Sequence, residues 1–476
     1  MRTLAAPFAG RLVSIADLEE LRQRLTRHYI DHGYVNSGAI VPPNPLRDGV
    51  FRYRIVEGRL DAVRLRGQGW LRDGYIRNRL LRDAEEPLRI DRLEEHFQLL
   101  LTDPLIERMN GRLLPGTEPG HGILDLTVTR ARPYQFSLYG NNYRPPSIGA
   151  EAVGASGWVR NLTGLGDFLN LSFAISEGAT RYFGNWNIPV GDYSTQVYFQ
   201  FDEGNSSVVE EPLNAIDIDS RVHNLEGGIT QSILESLQHK LTLGVSFAVR
   251  ENETFLLGEP YSFVRGLESG RNQATVVRFH QDYIERWESR ALALRSTFSL
   301  GIDALGATPE RDKNDPDSQF FAWLGQVQYV HRVLDNGAQV VFRGNVQLSN
   351  EPLLPLEQLA VGGVGSVHGY RENQLVRDQG FSGGIEFRYP LFGDPGPNSR
   401  HRLVLIPFMD YGEAWNHGPG EQSAYLHSVG IGFEWTFHRL QTDFFWGYPI
   451  KSPAQKRHEN LQDDGIHFQV RLDALR

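Results

Sequence analysis

The sequence has no cysteine among its 476 residues. That excludes disulfides, thiolate nucleophiles and any metal centre built on thiolate ligands. No apolar run reaches the length an α-helix needs to cross a bilayer, and mean hydropathy is -0.38, so no transmembrane helix is encoded. Membrane strands escape that test, because they are short and alternate apolar with polar residues. Basic stripes with interleaved aromatics are missing, and the net charge of -10 argues against a nucleic-acid partner. Catalytic signatures are missing as well. There is no Gly-x-Ser-x-Gly elbow, His-Glu-x-x-His or Walker A motif, and the 15 histidines are scattered. Neither an enzyme nor a cofactor or metal is expected. "DKNDPDSQFFAW" at 312–323 lacks the turn glycine of a calcium loop and ends in Trp323 where a bidentate Glu is needed. It reads as a solvated loop, and Glu210-Glu211 as solvated charge.

What is present is glycine, 49 residues of it, with 11% aromatics, a composition suited to β structure with many turns. One glycine-rich stretch is "VGGVGSVHGYRENQLVRDQG" at 361–380. Its glycines do not make a phosphate cradle, because Gly369 falls one place late and no helix opens after it.

Residues 1–133 carry helical periodicity. "SIADLEELRQRLTRHYIDHGY" has Ser14 as N-cap, an apolar stripe through Leu18, Leu21, Leu25 and Ile30, and Gly33 as its stop. Strands are expected at "SGAIV" and "GVFRYRIVEG". "LDAVRLRG" follows as a strand, "RDGYIRNRLL" and "RIDRLEEHFQLLLTD" as helices, and "IERMNGRLLPG" and "GILDLTVTRAR" as strands. This is a weak repeat of a small domain, with copies at 1–57 and 58–133, the first lacking its opening strand.

From Tyr134 the period becomes two. Val197, Phe199 and Phe201 oppose Gln196, Tyr198, Gln200 and Asp202, and Leu243, Val245 and Phe247 oppose Thr242, Gly244 and Ser246. Sixteen such segments can be placed, starting near residues 134, 150, 167, 180, 194, 219, 237, 275, 289, 320, 338, 381, 402, 424, 440 and 465. Connections after even-numbered segments are mostly short; those after odd-numbered ones include residues 203–218, 251–274, 303–319, 350–380, 413–423 and 450–464. An even count with this asymmetry favours a closed membrane barrel over a soluble β-sandwich. Arg250, Arg295, Arg343, Asp443 and Arg471 would then line a wet lumen.

Several stretches resemble the two-partner secretion transporters, the TpsB group that exports haemolysins and filamentous haemagglutinins. "GYVNSGAIVPPNPLRDGVFRYRIVEGRL" is similar to the end of their first POTRA domain, and "LRIDRLEEHFQLL" with "RLLPGTEPGHGILDLTV" to their second. "GNNYRPPSIGAEAVGASGWVRNLTGLGDFLNLSF" resembles the start of their barrel. "SVHGY" and "PFMDYG" resemble the Val-Arg-Gly-Tyr and Phe-x-Asp-x-Gly motifs of the superfamily.

The resemblance implies a 16-stranded outer-membrane β-barrel at 134–476, preceded by two POTRA domains in the periplasm, the first N-terminally truncated. It implies a transporter that recognises an unfolded exoprotein by its POTRA domains and translocates it without ATP. A barrel-assembly insertase is the runner-up and a passive pore the third reading. Implied partners are a secreted exoprotein, outer-membrane lipid and the barrel-assembly machinery, with the chain a monomer. The loop 350–380 is expected to fold into the lumen with Val367, His368, Gly369 and Tyr370 at its tip, facing Phe408, Asp410 and Gly412 on strand thirteen. His368 stands where most relatives have arginine. Imidazole offers one donor at a time and titrates near neutrality, so its contact with Asp410 is expected to be weaker and to hold best at low pH. Arg371 or Arg377 are the possible substitutes. With no signal peptide, plug helix or first POTRA strand, the sequence reads as a fragment from an internal methionine or a shortened variant. It ends in "RLDALR" rather than an aromatic residue, which leaves Phe468 as the expected assembly signal.

Overall fold

The computed structural model describes residues 1–82, 87–191, 194–267, 269–310, 312, 315–393, 399–418, 423–452 and 459–475. Two compact units result: residues 1–133 with 163–166, and residues 134–162 with 167–476.

The smaller unit contains the helix Ile15–Asp31, whose start is fixed by a reciprocal cap: Ser14 Oγ accepts from the Asp17 N–H, and the Asp17 carboxylate accepts from the Ser14 N–H. Leu21 and Leu25 are buried with Ala39 of the strand Gly38–Ile40, which pairs antiparallel with Arg54–Val56. The apolar stripe stops short of Ile30, which is exposed, because this small cluster offers nothing to cover the last turn. Residues 49–58 likewise do not form one strand. Val50–Phe51 turns back on Leu46–Arg47, and only Arg54–Val56 joins Gly38–Ile40.

The rest of the unit runs Arg59–Arg66 (strand), Asp73–Leu80 and Ile90–Leu101 (helices), Ile106–Pro115 and His121–Arg130 (strands). The last strand takes the centre of the sheet, parallel to the first and antiparallel to the second. Ile76, Leu80, Leu93 and Leu100 of the helices pack on Val63, Met109, Leu124, Leu126 and Val128 of the sheet. Burying this cluster is what holds so small a fold together.

The larger unit is a closed barrel of sixteen long strands: β1 (Tyr134–Asn141), β2 (Ala152–Arg160), β3 (Phe168–Ser176), β4 (Ala179–Val190), β5 (Thr195–Ser207), β6 (Ile218–Glu235), β7 (His239–Leu256), β8 (Arg271–Arg286), β9 (Arg290–Ile302), β10 (Phe321–Arg332), β11 (Gln339–Ser349), β12 (Gln379–Phe392), β13 (His401–Trp415), β14 (Ala424–Phe437), β15 (Leu440–Pro449) and β16 (Ile466–Leu475). Each pairs antiparallel with its neighbours, and β16 closes on β1. A two-residue strand, Glu259–Pro260, folds back on β7.

Period-two alternation explains both faces. Phe199 and Phe201 of β5 and Met409 and Tyr411 of β13 are exposed on the outside, where acyl chains solvate them. Gln196, Tyr198 and Gln200 face an interior cavity, and Val404, Ile406, Phe408 and Asp410 are buried inside. The longest strands, β6 and β7, have 18 residues each, whereas about 9–11 span a bilayer. The connections expected at 203–218 and 251–274 are therefore partly strand, because backbone pairing continues past the end of the apolar face. Residues 313 and 314 of the calcium-loop-like stretch, and parts of the connections at 413–423 and 450–464, lie outside the described residues.

Candidate functional site

The connection from β11 to β12 turns inward and forms a core within the barrel. Leu353 and Leu354 pack against Ala274, Val276, Phe320 and Ala322, and further on Leu359, Val361, Val367 and Tyr370 pack against Ala414 and Leu426. A short hairpin, Leu359–Val361 with Leu375–Arg377, stiffens the stem. Between those two clusters the loop crosses from one wall to the other.

Its first anchor is Glu357. This nearly buried carboxylate accepts from Arg250 Nη1 of β7 at 2.8 Å and from Arg278 Nη2 of β8 at 2.8 and 2.9 Å. Charge-assisted pairs of this kind are among the stronger hydrogen bonds in proteins.

The second anchor is the tip. His368 Nδ1 lies 2.6 Å from Asp410 Oδ2, and the His368 N–H donates to the same oxygen at 3.1 Å. The imidazole is held between Phe408 and Phe445, at centroid distances of 4.5 and 4.7 Å. Arg343 Nη2 of β11 stands 3.4 Å from both ring nitrogens. A carboxylate only accepts, so Nδ1 carries the proton toward Asp410 and Nε2 is free to accept from Arg343. His368 thus meets Asp410 where most relatives of the resembled family have arginine, and the wall arginine Arg343 flanks the imidazole. Arg343 Nη2 also pairs with Glu386 at 2.9 Å, Arg388 Nη1 with Glu386 at 3.1 Å, and Arg402 Nη2 with Glu434 at 2.9 Å; Arg388 bonds Glu434 too. A ladder of alternating charge therefore climbs the wall from β11 to β14.

Glycines let the tip come this close. Gly369, at φ +83°, lies so near β15 that an added Cβ would sit 2.7 Å from the Gly447 carbonyl oxygen. A Cβ on Gly412 would strike Val361 and Val367 at 2.6 and 3.0 Å. Tyr370 Oη reaches the carbonyls of His427 and Lys451 at 2.9 and 2.7 Å and accepts from the His427 N–H at 3.1 Å.

Arg371 and Arg377 do not substitute at Asp410. Arg371 pairs with Asp463 through Nε and Nη2, at 2.5 and 2.8 Å, and with Glu210 at 2.7 Å, since it points away from β13 toward the connections around it. Glu210 is accordingly an ion-pair partner rather than free solvated charge. Arg377 Nη1 donates to the Val376 carbonyl at 2.9 Å. The Glu372 N–H donates to Gln462 Oε1 at 2.8 Å, and Gln462 Nε2 donates to the carbonyls of Asn142 and Arg144, just past β1. Burial pushes the Glu372 carboxyl up to about 7, opposed by the Val364 N–H that donates to it.

Sequence reasoning missed Glu357, Asp463 and Gln462 as tethers and took Arg343 only as lumen lining. The signal available for Arg343 and Glu357 was an inward parity or a loop position, neither of which names a partner.

The family model for "Haemolysin secretion/activation protein ShlB/FhaC/HecB" matches residues 120–435, and the ShlB-type POTRA domain matches residues 1–58. The outer membrane transporter CdiB of Dickeya dadantii is 23% identical over 95% of this chain and 80% of its own length. The heme/hemopexin transporter protein HuxB of Haemophilus influenzae is 22% identical over 90% of this chain and 76% of its own. Among solved structures, CdiB from Escherichia coli superposes with a TM-score of 0.74 at 20% identity, covering 99% of this chain and 87% of that one. BamA from Haemophilus ducreyi lacking POTRA domains 1–3 gives 0.59 at 13% identity, covering 99% and 98%. With a closed sixteen-stranded barrel, a POTRA domain and a family match over most of its length, the chain belongs to the ShlB/FhaC/HecB family of haemolysin secretion/activation proteins, the outer-membrane transporters of two-partner secretion.

Proposed function

We propose that residues 1–57 and 58–133 act as two POTRA domains that capture an unfolded secreted exoprotein in the periplasm, and that the barrel passes it outward once the loop releases the lumen. The observation that carries the capture step is the sheet of the smaller unit. Its outer strands, Arg59–Arg66 and Ile106–Pro115, each pair on one side only among the described residues. Ile106–Pro115 is ten residues long and largely exposed. An open edge of that length is a template for an added strand: backbone bonds supply affinity and neighbouring side chains supply selectivity. Work for export comes from the client folding outside, because the sequence carries no nucleotide-binding loop. Relatives named for heme/hemopexin and haemolysin support a secreted protein as the cargo class.

His368 and Asp410, with Val367, Gly369, Tyr370, Phe408 and Gly412 around them, serve in this reading as the lock that holds the loop in the lumen. Two experiments test the proposal. Deleting residues 58–133 abolishes client binding; unchanged binding would remove the POTRA role. Comparing secreted and outer-membrane proteomes with and without the gene should show one or two large secreted proteins missing. Broad loss of outer-membrane barrels would point to an insertase instead.

A further inference from the structure

The lumen keeps an open cavity of about 820 Å³ beside the loop, lined chiefly by β4 to β11. Its charges are already matched. Arg295 Nε lies 3.2 Å from Asp282, Lys240 Nζ lies 3.3 Å from Glu235, and Glu226 accepts from Tyr198 Oη at 2.7 Å with Arg278 at 3.5 Å. What remains unengaged is carboxamide. Gln196 and Gln200 on β5 and Gln326 and Gln328 on β10 face the cavity without a side-chain hydrogen bond to protein among the described residues, while Asn185 and Asn187 on β4 bond to each other.

We infer that this carboxamide-lined half of the lumen is the track along which an extended, unfolded polypeptide slides, an inference that rests on the transporter reading above. A carboxamide offers the same donor and acceptor as the peptide group, so each can trade a water for any passing backbone unit. The net gain per bond is small once the lost water contact is counted, enough to admit a chain and too little to hold it, which is what conduction through a pore requires. Every residue except proline presents both groups, so the track is indifferent to client sequence. Unpaired charges would trap opposite side chains and repel like ones, and here they are neutralised in pairs. On the opposite side the loop tip packs against β13, β14 and β15.

The absence of native cysteine gives a direct test. Full-length Gln200→Cys and Gln328→Cys, with Gln441→Cys on β15 as control, are reconstituted in liposomes. Each is exposed from the POTRA side to an unfolded Gly/Ser/Asn/Thr polypeptide carrying one thiopyridyl-activated cysteine. The introduced thiolate attacks the probe's disulfide and expels thiopyridone, leaving a mixed disulfide that is read on a gel. Several-fold higher yields at the two cavity positions than at Gln441→Cys are expected, with heat-shifted gel mobility confirming that each barrel is folded. Equal yields, or a preference for the control, would overturn the track while leaving transport standing. No adduct at any position would overturn the transporter reading and the track together. Gln326→Lys with Gln328→Lys provides a second readout: passage of the same probe into the liposomes drops several-fold, and unchanged passage would also sink the track.

Discussion

At the scale of single residues, the tip of the loop depends on a few polar contacts made out of water. Removing the Asp410 carboxylate strips an acceptor from both His368 Nδ1 and its N–H. Bonds to a charged partner are worth about 1.5–3 kcal/mol each, so Asp410→Ala should unseat the loop, seen as more frequent openings in single-channel recordings. His368→Arg alone should loosen the tip too, because a guanidinium would meet Arg343, already 3.4 Å from the imidazole. Combining it with Arg343→Gln should restore the wild-type opening frequency, so the double-mutant cycle will be strongly non-additive. Glu372 adds a pH dependence with a definite sign. Its folded-state pKa, about 7, lies above the ordinary carboxylate value, so the folded loop holds the extra proton. Docking is strongest below about pH 4.5 and weakens as pH rises toward 7. Glu372→Gln should flatten that part of a conductance-against-pH curve. The two motifs and the inward parity of Asp410 were legible in the sequence. Arg343 was not, because an inward arginine on an alternating strand looks like every other lumen arginine until a fold brings it to a partner.

At the scale of the element, the loop is a strut with a foot on each wall. The foot at Glu357 joins residues 107 and 79 positions apart in the chain, which no local pattern announces. The loop's length was legible and its footing was not. Glu357→Gln keeps the shape but removes the negative charge that Arg250 and Arg278 share and replaces one acceptor by a donor. Protease added from outside should then cut within 350–378 at least several-fold faster, while the boiled and unboiled gel bands of the barrel stay unchanged. Equal cutting rates would show that the tip alone fixes the loop.

At the scale of the whole molecule, sixteen strands were countable because the barrel wall separates lipid from water at every second residue. Where strands ended was less clear, since beyond the bilayer β6 and β7 keep pairing with polar residues on both faces. The same alternation predicts unequal costs for one charge. Phe199→Arg, on the lipid face, should destabilise the barrel by about 2–4 kcal/mol if it lies near mid-membrane, whereas Thr230→Arg, facing the cavity, should change urea unfolding little.

Two feet on opposite walls also mean that the loop never has to find its seat by free search. When one foot lifts, the other keeps it tethered nearby, at an effective local concentration in the millimolar range or above. Re-seating is then an intramolecular step that outpaces most solutes reaching the gap. A cell can therefore keep such a wide pore in its outer envelope between clients without surrendering its permeability barrier, since a lasting leak requires both feet to lift together.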